Sequence, residues 1–100
     1  MWVKLCPRDG VPEGSPRAFE IEPNKWIGVF RVQGTFYAIN DECPHQGWPL
    51  SQGRVENKVV TCSGHGWSFD LETGKIVGVG DLKIITYPLK IMDENIWVDL

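Results

Sequence analysis

Histidine occurs twice and cysteine three times in these 100 residues. No apolar stretch approaches the ~20 residues of a membrane-spanning helix, and no N-terminal apolar run has signal-peptide length. Basic residues are outnumbered, ten against thirteen acidic, for a net charge of -3. That balance argues against nucleic acid or an anionic membrane as a partner, because those are met by basic patches. An odd number of cysteines argues against a secreted disulfide framework and for a reducing compartment with metal ligation. The chain contains no low-complexity tract or long linker, and no amphipathic helical stretch of ten residues. These absences predict a soluble, cytoplasmic, single-domain protein spanning 1–100, expected to be a monomer.

Strand-like periodicity fills most of the remainder. The runs AFEIE (18–22), WIGVFRV (26–32), TFYAI (35–39), KVVTC (58–62), IITYPLKI (84–91) and NIWVD (95–99) are short, apolar and bounded by turn residues. Gln33-Gly34 and Asp93-Glu94 stand where hairpin turns belong, and Glu72-Thr73-Gly74 reads as a third turn. The pattern predicts an all-β sandwich or small barrel.

The scarce residues are not scattered. Both histidines and two of the three cysteines fall in two segments, CPHQG (43–47), just after a predicted strand, and CSGHGW (62–67), at the end of another. Pro44, Gly47 and Pro49 shape the first loop, and Gly64 and Gly66 strip the second of side-chain bulk, as close backbone approach to an inorganic group requires. Two thiolates and two imidazoles can make a tetrahedral zinc site. Zinc fingers, however, pair cysteine with cysteine and histidine with histidine, whereas here each loop supplies one of each. Two loops that each give a thiolate to one metal and an imidazole to another use the mixture directly. Two irons bridged by two sulfides form such a centre, with Cys43, His45, Cys62 and His65 as candidate ligands. Cys6 is left over, a packed thiol in a first strand region.

The pattern C-x-H, sixteen residues, C-x-x-H resembles the Rieske ligand motif. GWSFDLETG (66–74) and RVQGTFYAINDECPHQGWPLSQG are similar to the segments around that motif in Rieske ferredoxins and oxygenases. The resemblance covers essentially the whole chain. It implies a β-sandwich base with an inserted cluster-binding subdomain, about 41–79, and one [2Fe-2S] cluster. Cys43 and Cys62 would hold an inner iron, His45 and His65 an outer one. Two ferric ions, two sulfides and two thiolates sum to a neutral oxidised site, which is easier to reduce than the dianion made by four thiolates.

Departures from the respiratory type sharpen the expectation. That type carries a disulfide between the loops at positions corresponding to Trp48 and Gly64, and hydroxyl donors to cluster sulfur at those of Trp67 and Phe69. None of these can form here, so the resemblance implies a potential near the ~-150 mV lower end of the Rieske range. The segment GVGDLK (78–83) also lacks the prolines often found beside the cluster. The implied protein is a ferredoxin, an electron carrier and not an enzyme. It takes one electron from a flavin-dependent reductase and gives it to a terminal oxygenase. Docking is expected around Gln46, Trp48 and Trp67. Two other readings stay open: a small redox-sensing or structural metal module, and a nitrite reductase small-subunit type, which typically lacks the four ligands.

Overall fold

The computed structural model describes residues 1–44, 47–64 and 66–100. Among the described residues ten strands follow in order: β1 (Trp2–Pro7), β2 (Arg17–Glu22), β3 (Lys25–Val32), β4 (Thr35–Asn40), β5 (Arg54–Glu56), β6 (Val59–Thr61), β7 (Ser68–Asp70), β8 (Thr86–Tyr87), β9 (Leu89–Met92) and β10 (Asn95–Asp99). They make three antiparallel sheets ordered β1-β10-β9, β2-β3-β4-β8 and β5-β6-β7. Among the described residues the only helical pieces are two 3-10 turns, Arg8–Gly10 and Leu50–Gln52. The expected all-β class is therefore the observed one.

Tight hairpins form where the turn residues stand. Gln33 and Gly34 take φ of 51° and 81°, and Asp93 and Glu94 take 52° and 64°. Two successive positive φ values match the right-handed twist of the strands they join. They set the registers Val32↔Thr35 and Met92↔Asn95.

The central sheet explains why β3 and β4 read as almost unbroken apolar runs. Successive side chains alternate between faces, and both faces are covered. Ile27, Val29 and Ala38 pack with Cys6, Val11, Ile96 and Val98 toward the first sheet. Phe30 and Ile39 pack the other way, against Leu50, Val60, Phe69, Leu71, Ile84 and the two loop cysteines, Cys43 and Cys62. A two-layer base thus carries a third layer on its far side, and that layer is built from the chain between β4 and β8.

One expected strand divides. Residues 84–91 do not run as one element, because Pro88 has no N–H to give to a ladder. The chain pairs with β4 through β8, passes Pro88, and joins β10 through β9. Its two halves so belong to different layers. β5 and β7, at three residues each, are too short for periodicity to announce.

Candidate metal centre

Cys43 and Cys62 lie at corresponding places in two loops of the same construction. The Cys43 N–H donates to the Trp48 carbonyl at 2.8 Å, and the Gly47 N–H returns to the Cys43 carbonyl at 2.7 Å. In the second loop the Cys62 N–H donates to the Trp67 carbonyl at 2.7 Å, and the Gly66 N–H returns to the Cys62 carbonyl at 3.1 Å. Gly47 and Gly66 both adopt φ of 73°, a left-handed conformation that glycine enters without steric cost. The sequence signal for this correspondence is present but easily missed. Residues 43–48, CPHQGW, and 62–67, CSGHGW, share the frame C-x-x-x-G-W.

Each loop is also tied at its base. Asp41 is 4 % exposed and accepts both the Ser51 N–H and the Ser51 hydroxyl at 2.6 Å. This clasp closes the first loop onto the Leu50–Gln52 turn. Burial pushes the Asp41 carboxyl above the usual range, opposed by the hydrogen bonds from the Ser51 side chain and the Ser51 and Leu50 backbone. At the second loop, β6 and β7 pair up to Thr61↔Ser68, and the two hydroxyls are 2.7 Å apart. Neither Asp41 nor Ser51 stood out in the sequence, since a carboxylate and a hydroxyl ten residues apart carry no local signature.

The thiols of Cys43 and Cys62 are each 1 % exposed and belong to one apolar cluster. None of the three cysteines is in a disulfide. Cys6 lies apart in the other core, where burial pushes its thiol up against the opposing pull of Arg17. His45, Gln46 and His65 lie outside the described residues. Trp48 is 46 % exposed, while Trp67 is half-buried against the cysteine-bearing core. The positions aligned with the respiratory disulfide do face each other: a Cβ on Gly64 would stand 2.9 Å from Trp48 Cδ1. Phe69 is fully buried in the same cluster as both cysteines. The third loop flanks the second, with Ile76, Val77, Val79 and Leu82 facing Gly66 and Trp67 across a groove of about 340 Å³.

Soft thiolates suit iron–sulfur clusters. Two of them held off water on neighbouring glycine-relieved loops are a donor set that fits such a group. The family model for the Rieske [2Fe-2S] domain matches residues 1–88. The chain belongs to the Rieske family. The 3-phenylpropionate/cinnamic acid dioxygenase ferredoxin subunit of Escherichia coli K12 is 39 % identical, over 98 % of this Rieske chain and 92 % of its own length. Among solved structures, the Sphingomonas yanoikuyae B1 ferredoxin is 29 % identical and superposes with a TM-score of 0.91, covering 100 % of this chain and 99 % of the other. A proposed NADH-dependent nitrite reductase small subunit of Mycobacterium tuberculosis has a TM-score of 0.88 at 20 % identity, covering 98 % and 93 %. That last likeness shows the fold alone. Among the described residues no helix is long and apolar enough to cross a membrane.

Proposed function

We propose that this protein is the ferredoxin of a multicomponent oxygenase system, moving single electrons from a flavin-dependent ferredoxin reductase to a terminal oxygenase. The observation that carries the reading is the pair of matched loops, each placing a buried cysteine in one shared core. The dioxygenase ferredoxin subunit with which the chain aligns over nearly its full length supports it. The ligands are Cys43 and Cys62 for the inner iron and His45 and His65 for the outer. When bound, the [2Fe-2S] cluster supplies reversible one-electron chemistry.

The residues of the chain do the rest. Cys43 and Cys62 exclude water from the thiolate side, and the Asp41–Ser51 clasp and the Thr61–Ser68 pair hold the loop bases. Trp48, exposed beside the first loop, together with Gln46 and Trp67, makes up the proposed docking surface. The protein works as a cytoplasmic monomer of one domain, with 41–79 as the cluster-binding insertion. Neither Trp67 nor Phe69 carries a hydroxyl to stabilise the reduced state, so the potential lies near the ~-150 mV end of the Rieske range.

The test is metal and sulfide analysis followed by reconstitution. Two irons and two labile sulfides per chain are expected, with a low average g value after one-electron reduction. Oxygenase turnover driven through the reductase should depend on added protein. One zinc per chain, with no visible absorption, would overturn the ligand set. Support of a nitrite reductase and of no oxygenase would overturn the partner.

A further inference from the structure

We infer that the Trp48 indole is a steric latch between the two cysteine loops, and that residue 64 is glycine because the indole lies upon it. The inference rests on the reading of these loops as ligand loops.

Glycine at 64 is not required by its backbone. It is absent from the residues with positive φ, which include the neighbouring Gly66. What it meets is side chain. A Cβ at position 64 would stand 2.9 Å from Cδ1, 3.0 Å from Nε1 and 3.2 Å from Cγ of Trp48. Three atoms of one five-membered ring, all closer than ordinary van der Waals contact, mean that the indole covers the Gly64 Cα. A residue of the first loop therefore occupies the side-chain space of the second.

The base of the indole is firmly held. The Trp48 carbonyl takes the Cys43 N–H at 2.8 Å, which fastens the tryptophan to the ligand residue itself. Pro49 follows and restricts the Trp48 backbone to extended conformations. Leu50 is then fully buried, and Ser51 is clasped by Asp41. With the backbone fixed in this way, the indole leaves Gly64 either by rotating about its own side-chain bonds or by release of one of these anchors. On the latch reading, separation of the loops includes withdrawal of the indole from Gly64.

Gly64 also marks a difference between the two loops. The loops share a frame and a hydrogen-bond pattern, yet the first histidine stands two places after its cysteine and the second stands three. In the second loop the position two places after Cys62 is Gly64, and the indole closes it to any side chain. Trp48 is on this account a positioning residue.

A size-swap cycle on the full chain tests the latch: Gly64→Ala, Trp48→Ala and the double variant, with Gly66→Ala as control. The readouts are the rate of cluster loss to a chelator and the thermal midpoint of the metal-free protein. Trp48→Ala should speed cluster loss about tenfold, the scale of coupling between touching residues. Gly64→Ala should be worse than Trp48→Ala, and the double variant should recover to the rate of Trp48→Ala. Gly66→Ala is not rescued by Trp48→Ala, since its cost lies in a φ of 73°. A double variant no better than Gly64→Ala, or a Gly64→Ala protein indistinguishable from wild type, would sink the latch. Wild-type protein without iron would instead overturn the ligand reading, and the latch would then stand or fall on the same rescue in the metal-free midpoints.

Discussion

The two cores of this protein differ in what closes them. On the base side, Ile27, Val29, Ala38, Ile96 and Val98 lie between long ladders, and the chain ends are joined where the Met1 ammonium meets Asp99 at 2.7 Å. Its one cysteine, Cys6, has no part in the proposed site. The far core adds two buried phenylalanines, Phe30 and Phe69, to its aliphatic residues, but on its outer side it is walled by three-residue strands and two loops, and it includes Cys43 and Cys62. Metal binding takes up the charge of a deprotonated cysteine and ties together the segments that supply the ligands. Hydrophobic burial and strand pairing suffice for the base. Under the ligand reading proposed above, a bound cluster would tie the two loops of the far core together, as strand pairing ties the base.

The sharpest way to break this comparison is to remove the proposed ligands and, separately, the spare thiol of the base core. Cys43→Ser, Cys62→Ser, His45→Ala and His65→Ala should each lose the normal cluster, seen as missing iron and visible absorption. Cys6→Ser should retain both. Loss of iron in the Cys6 variant alone would mean that the two cores have been assigned the wrong roles.

A pair of cavity variants comes next. Leu50→Ala and Ile96→Ala remove fully buried side chains from the far and base cores respectively, and each should cost about 2–5 kcal/mol in chemical unfolding. Only Leu50→Ala should also speed cluster release, because Leu50 begins the turn to which the first loop is clasped. Equal release rates would show that the cores are energetically one unit.

Smaller is the effect of the clasp. Ser51→Ala removes one of the hydrogen bonds to the buried Asp41 carboxylate, worth about 1.5–3 kcal/mol for a charged acceptor. The unfolding midpoint of the loaded protein should fall accordingly. No loss of stability would mean that the carboxylate finds another donor.

The smallest change concerns the potential. Phe69→Tyr adds a hydroxyl within the cysteine-bearing core and should raise the reduction potential by some tens of millivolts in voltammetry, about 1 kcal/mol of preference for the reduced state. Trp67→Ser with Phe69→Tyr should raise it further. An unchanged or lower value in both would place these side chains away from the cluster sulfurs.

Local chemistry made much of this legible in the sequence. Short apolar runs, with Gln33-Gly34 and Asp93-Glu94 between them, specify strands and turns because side-chain alternation and positive φ are properties of neighbouring residues. The candidate ligands could be found for a similar reason: scarce residue types at short spacing state their chemistry without reference to the rest of the chain. Pro88 shows where local reading begins to fail. The missing N–H is visible in the sequence, but that the two sides of the proline serve different sheets is not.

Relations between distant segments were settled only by tertiary structure. Periodicity cannot tell which of two covered faces of β3 and β4 looks toward the cysteines, since both are apolar. Nothing local pairs Asp41 with Ser51, or explains Gly64 by a tryptophan sixteen residues earlier. A glycine that serves φ and a glycine that makes room for a neighbour are the same letter. The first kind is decided by the residue's own backbone, as at Gly66, and the second by what the fold brings against it, as at Gly64.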